Sequence, residues 1–220
     1  MTAMQAAKKT LSDVFGYDSF RPGQETMVDA LLSGRDALGV MPTGAGKSMC
    51  YQVPALMLPG ITLVISPLIS LMADQVAALK SAGVPAAYLN STLTPRQMEL
   101  ALDRAYQGAY KIIYVAPERL ETVSFQQFAR SAPISLIAVD EAHCVSEWGH
   151  SFRPDYLQLP RIREQYPFLC TMALTATATP RVQQDLQAAF RILPEHSITL
   201  PPARPNIARR SLSCSERMPT

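Results

Sequence analysis

The chain has 220 residues, 48% of them hydrophobic and 17% charged, which suits one well-filled domain and argues against a disordered chain. Lys and Arg number 20 against 18 Asp and Glu, so the net charge of +2 does not by itself imply a polyanionic partner, although most of the basic residues are arginine, whose planar fork suits phosphate. The apolar runs are far short of the roughly 20 residues a bilayer span needs. No secretory pattern follows Met1, and the four cysteines (Cys50, Cys144, Cys170 and Cys214) form no CxxC pair, so a membrane protein, a zinc knuckle and a disulfide scaffold are set aside and a cytoplasmic location is expected.

In chain order, residues 3–15 predict a helix with Leu11, Val14 and Phe15 on one side, broken by Gly16 and Tyr17. A second helix is expected to about residue 32, with Pro22 near its first turn, where a missing N–H costs least. Residues 1–33 thus form an N-terminal pair of helices. Over 34–200 a strand, a turn and an amphipathic helix recur. Strands are predicted at 37–40, 61–65, 86–89, 112–115, 136–139 and 169–174. Helices are predicted at 47–57, at 68–79, around Met98 to Ala105, around 125–130, and along Val182, Leu186 and Phe190. Such alternation implies an α/β fold, a mostly parallel sheet with helices on both faces and ligands at the carboxyl ends of its strands. From Pro201 the prolines limit regular structure, and 201–220 reads as a linker toward a further domain or as a frayed end.

The strongest local signal is Met41-Pro42-Thr43-Gly44-Ala45-Gly46-Lys47-Ser48, set directly between an apolar strand and a helix. Gly44 and Gly46 let the backbone turn tightly, so that amide groups and the helix N-terminus face phosphates. Lys47 supplies a point charge for the β and γ phosphates, and the Ser48 hydroxyl suits a magnesium shell. Met41 stands where the full phosphate-loop pattern has glycine, so the match is to its GxGKS core; the dinucleotide pattern GxGxxG fails because Lys47, Ser48 and Met49 follow Gly46. The apolar run 136–139 delivers Asp140 and Glu141 to the same end of a parallel sheet. Asp140 there is suited to magnesium, and Glu141 to orienting or deprotonating an attacking water. Capping of the following element is a local role compatible with both. Together the two segments predict a P-loop lobe of RecA-like type that binds a nucleoside triphosphate with Mg2+.

Read as a series, Phe20-Arg21-Pro22-Gly23-Gln24, the Met41–Ser48 loop, Ser66-Pro67-Leu68-Ile69-Ser70-Leu71-Met72, Ala116-Pro117-Glu118, Asp140-Glu141-Ala142-His143 and Leu174-Thr175-Ala176-Thr177-Ala178 resemble a superfamily 2 helicase. The run Cys144-Val145-Ser146-Glu147-Trp148-Gly149-His150-Ser151-Phe152-Arg153-Pro154-Asp155-Tyr156 is similar to the aromatic-rich loop of the RecQ family. That resemblance implies an ATP-dependent 3′ to 5′ DNA helicase of recombination and repair, with single-stranded and partly duplex DNA as partner. It further implies that Tyr17 stacks on adenine, Gln24 reads its hydrogen-bonding edge and Arg21 supports that pocket. His143, Thr175 and Thr177 would couple nucleotide to DNA, and Trp148, Phe152 and Arg153 would hold DNA.

Separately from the resemblance, a Trp, Phe and Arg near a nucleotide site fit base stacking and phosphate contact; packing of the loop on its own domain is the plain alternative, and for Phe152 the two weigh equally. Ser66, between a strand and a helix, suits either a DNA phosphate or helix capping. The family's second RecA-like lobe has no counterpart in the 220 residues, so the chain is expected to supply one wall of an ATP site and not to unwind DNA alone. A non-catalytic ATP- and nucleic-acid-binding fragment and an unrelated P-loop ATPase remain the competing readings.

Overall fold

The computed structural model describes residues 1–149, 151–166 and 169–201. Among these residues seven strands form one sheet: β1 (Ala37–Val40), β2 (Ile61–Ile65), β3 (Ala86–Leu89), β4 (Ile112–Val115), β5 (Ile134–Val139), β6 (Cys170–Thr175) and β7 (Ser197–Thr199). Their order is β3-β4-β2-β5-β6-β1-β7, and every neighbouring pair is parallel. Eight α-helices accompany them: α1 (Ala3–Phe15), α2 (Gln24–Leu32), α3 (Met49–Met57), α4 (Ile69–Ser81), α5 (Pro95–Tyr106), α6 (Val123–Ser131), α7 (Leu159–Gln165) and α8 (Pro180–Phe190).

Parallel strands covered on both faces need apolar side chains in both directions, and the strands supply them. Leu63 and Ile65 of β2, with Ile137 and Val139 of β5, face α5, α6, α7 and α8 through Leu102, Phe128, Leu159, Leu186 and Phe190. Val64, Leu136 and Ala138, one residue out of phase, face α2, α3 and α4 through Leu31, Tyr51 and Val76. A third cluster of Ala7, Leu11, Val28 and Val53 fastens α1 to α2 and α3, so the N-terminal helices pack on the helix that follows the phosphate loop.

Three adjacent strands position the site. β5, β6 and β1 lie side by side, so Asp140, Thr175 and Met41 leave the sheet at the same edge, and the Met41 N–H continues the ladder to the Thr175 carbonyl at 2.9 Å. On the opposite face, a cavity of about 170 Å3 lies between the sheet and α6 and α7. Among the described residues the Thr171 hydroxyl, on a residue 2% exposed at that cavity, finds no hydrogen-bond partner.

Several expected boundaries move for identifiable reasons. Helix α3 begins at Met49 and not at residue 47, because Met49, Cys50 and Tyr51 donate to the carbonyls three residues back, which makes the first turn tighter than α-helical. Pro22 precedes α2 in a turn closed by the Gln24 N–H on the Arg21 carbonyl, with Gly23 in the left-handed region at φ 81°. Helix α7 and strand β7 were not expected: α7 is two turns long and β7 three residues, too short for periodicity to register. The expected linker, 201–220, lies outside the described residues beyond Pro201.

Candidate nucleotide site

The phosphate loop is held from behind by the segment ahead of α2. Gln24 is buried; its side-chain amide donates to the carbonyls of Ala45 at 2.9 Å and Gly46 at 2.8 Å, while its Oε1 accepts from the Arg21 N–H at 2.8 Å. The Arg21 guanidinium donates to the Gly44 carbonyl. In a trans peptide the carbonyl and the next N–H point in opposite directions, so anchoring these three carbonyls turns the Gly46 and Lys47 amides the other way, toward the cleft. Gly46 has φ 74°, and a Cβ on it would lie 2.6 Å from Gln24 Nε2. Both polar ends of Gln24 are therefore engaged within the protein, a role that the expected reading of an adenine edge does not describe.

The loop borders a cleft of about 620 Å3, also lined by Tyr17, Arg21, Lys47, Ser48, Asp140 and Glu141. That volume is in the range of small-molecule and cofactor sites. Lys47 Nζ donates to the Met41 carbonyl at 3.3 Å, a long bond that is easily exchanged for a phosphate oxygen. Thr43 lines the cleft beside Gly44, while Met41 is fully buried and Pro42 accepts the Ala45 N–H, so these two shape the loop. Tyr17 is 48% exposed, an open ring at the cleft margin.

Asp140 closes β5, its N–H on the Ile65 carbonyl at 2.8 Å. Burial, reinforced by repulsion from Glu141, pushes its carboxyl up to about 6, against the opposing pull of the Glu141 N–H and the Lys47 charge. A carboxylate strained in this way fits a site for a divalent cation, whose charge would remove the penalty, and a lone carboxylate with a hydroxyl and phosphate oxygens is an ordinary magnesium set. Among the described residues no cluster of three His, Cys, Asp or Glu side chains forms a closed metal site.

Glu141 adopts the left-handed backbone region at φ 49°, unusual for a side chain with a Cβ and costly unless its neighbours impose it. Its carboxylate lies 3.3 Å from His143 Nδ1, which is also 2.8 Å from Thr175 Oγ1. Because the Thr175 hydroxyl donates to the Thr177 carbonyl at 3.0 Å, its oxygen accepts from His143, which puts a proton on Nδ1. Glu141, His143 and Thr175 thus form one relay, half-buried at Glu141 and buried at His143 and Thr175, with Thr177 exposed at its end.

The residues expected to hold DNA divide. Trp148 is 70% exposed and Arg153 is exposed, with Phe152 half-buried. Ser66, by contrast, is buried, and its Oγ accepts from the Leu68 N–H at 3.5 Å; the structure does not bring its hydroxyl to the surface. Two groups of polar residues escaped sequence reasoning. Behind the cleft, Tyr51 and Tyr114 share a hydroxyl contact of 3.1 Å, with Gln52 and the half-buried Gln75 carrying the network to the cleft wall. Beside the aromatic loop, Ser146 donates to Asp185 at 2.6 Å, and Arg181 lies over the Trp148 ring. Buried polar side chains on β4 and at the start of α3 were the available signal for the first; nothing local announces the second.

Comparison with known proteins agrees with this geometry. A family model described as DEAD/DEAH box helicase matches residues 21–186. ATP-dependent DNA helicase RecQ of Haemophilus influenzae is 48% identical over 201 residues, 91% of this chain and 32% of that protein. The proteins of the same description from Pasteurella multocida and Bacillus subtilis are 47% and 44% identical, over 92% and 93% of this chain and 32% and 35% of their own lengths. The chain thus spans about a third of the length of these curated relatives. Among solved structures, the Pyrococcus furiosus Hef helicase domain aligns with a TM-score of 0.61 at 22% identity, covering 82% of this chain and 37% of that one. A hypothetical ATP-dependent RNA helicase from Sulfolobus tokodaii gives 0.63 at 19%, covering 84% and 54%. These two likenesses establish the fold alone. The family match spans most of the chain, the loop, acid pair and relay lie at one edge of a parallel sheet, and the chain belongs to the DEAD/DEAH box helicases, as a RecA-like lobe of the RecQ family.

Proposed function

We propose that this lobe binds ATP with Mg2+ and contributes one wall of the motor site of an ATP-dependent 3′ to 5′ DNA helicase. The observation that carries the reading is the relay of Glu141, His143 and Thr175, which joins the acid pair in the cleft to the segment leading to the aromatic loop.

In this reading Lys47 exchanges the Met41 carbonyl for the β and γ phosphates, while the Gly46 and Lys47 amides face the same oxygens. Ser48 and Asp140 would hold Mg2+, which when bound neutralises developing phosphate charge. Glu141 takes or orients the proton of the attacking water, and Tyr17 stacks on adenine. Gln24 and Arg21 keep the loop carbonyls turned away, and contact with the base would require Gln24 to give up one of its bonds to the loop. Trp148, Phe152 and Arg153 engage single-stranded DNA by stacking and phosphate contact. In systems of this chemistry a trans-acting arginine is worth about 10³ to 10⁵ in rate. A second lobe would have to supply it, so the 220 residues alone are expected not to unwind DNA.

ATP turnover measured with and without single-stranded DNA tests the reading. Weak turnover that rises with DNA supports it. Binding of both ligands without turnover favours a non-catalytic fragment, and turnover indifferent to DNA favours an unrelated P-loop ATPase.

A further inference from the structure

Trp148 is an apolar side chain in water, yet the backbone beneath it is tied down. Its N–H donates to Ser146 Oγ at 3.2 Å, and that hydroxyl donates in turn to Asp185 Oδ2 at 2.6 Å. The other carboxylate oxygen of Asp185 lies 3.6 Å from Arg181 Nε, and the Arg181 guanidinium carbon stands 5.9 Å from the centre of the indole ring. One carboxylate on α8 therefore holds the loop through Ser146 and the ring's cationic neighbour through Arg181.

Helix α8 is itself an extension of the relay. Thr175 and Thr177 lead directly into it, and Thr179 caps it by accepting the Val182 N–H at 3.3 Å, with Pro180 at the first helical position. The acid pair thus reaches the aromatic loop by two routes: along the chain from Glu141 to Ser146, and through His143, Thr175, α8 and Asp185. Close approach fixes the loop's other side, where a Cβ on Gly149 would lie 2.5 Å from the His143 carbonyl.

We propose that Asp185 is a positioning residue for the Trp148 loop: by accepting from Ser146 it holds the exposed indole at the end of the relay, ready to stack on a DNA base. Ordering the loop beforehand lowers the entropy cost of engaging a flexible strand. The DNA part of this inference rests on the helicase reading above; the anchoring part does not.

Trp148 is the chain's single tryptophan, so its fluorescence reports this loop and nothing else. The test compares wild type with Asp185→Ala, Ser146→Ala and Asp185→Asn, the last retaining an acceptor for the Ser146 hydroxyl. Emission anisotropy is read without DNA, and Trp148 quenching is then titrated with an oligothymidine strand. Asp185→Ala and Ser146→Ala are expected to lower the anisotropy and to raise the titration midpoint about five- to tenfold, the net worth of about one ordinary hydrogen bond. Asp185→Asn should stay within about twofold of wild type, and the double Ala variant should add little to either single one.

Far-UV circular dichroism checks that each variant is folded; if Asp185→Ala is not, Ser146→Ala and Asp185→Asn carry the comparison. Wild-type anisotropy in folded Ser146→Ala would overturn the proposal, as would Asp185→Asn failing as fully as Asp185→Ala. If wild type itself ignores the oligonucleotide, the DNA reading fails, and the anisotropy comparison alone decides the anchoring.

Discussion

Asp140 offers a quantitative test of the site's electrostatics in the protein without ligands. Its carboxyl is raised from 3.8 to about 6, chiefly by burial and then by Glu141, so the ionised form is disfavoured in the folded chain by about 3 kcal/mol. Because the folded value lies above the unfolded one, the folded state binds more protons between them. The penalty is absent below about 3.8, grows as pH rises, and is complete above about 6. Asp140→Asn keeps the acceptor for the Glu141 N–H, which lies 3.0 Å from Oδ1, while removing the charge. Urea denaturation should therefore find the variant more stable than wild type by about 2–3 kcal/mol at pH 8, with the difference shrinking toward zero near pH 4. Added Mg2+ and ATP should stabilise wild type and not the variant, reversing the order. A variant less stable than wild type at pH 8, or a difference independent of pH, would refute the reasoning.

Three further outcomes follow from single contacts. Gly46→Ala places a Cβ against Gln24 Nε2 at a positive φ, so it should break the bonds that orient the loop and weaken ATP binding by at least about tenfold in calorimetry, with the melting temperature lowered by only a few degrees. Thr171→Val removes a buried hydroxyl that has no partner among the described residues while keeping its shape, and should raise stability by about 1–2 kcal/mol in urea denaturation without altering nucleotide affinity. Trp148→Ala should abolish the DNA stimulation of ATP turnover in a protein carrying both lobes, leaving nucleotide binding within about twofold; the exposure of the ring leaves little packing to lose.

The parts of this molecule legible in its sequence are those written in neighbouring residues. Strands 37–40, 61–65, 86–89 and 112–115 have the bounds that short apolar runs between turn residues imply, since a strand buried on both faces must be apolar throughout. That the 41–48 loop and Asp140-Glu141 share one cleft was legible because both follow apolar strands, and a parallel sheet brings the carboxyl ends of its strands to one edge. Pairings between distant residues were not. Gln24 reaches the loop carbonyls from more than 20 positions away, Tyr51 meets Tyr114 across 63, and Ser146 meets Asp185 across 39. The burial of Ser66 was hidden too, because a serine between strand and helix suits a cap, a turn or a ligand equally well. Helix α7 failed to register because only Leu159 and Ile162 mark an inward face over its two turns.

Uptake of ATP at the Lys47 loop is the property from which every other role proposed for this lobe follows. Titration calorimetry with ATP and Mg2+ should show saturable one-to-one binding to the wild-type chain, weakened by removal of Mg2+ and lost in Lys47→Ala. Absence of binding, or equal binding by the Lys47→Ala variant, would contradict the assignment of the loop and acid pair as the nucleotide site.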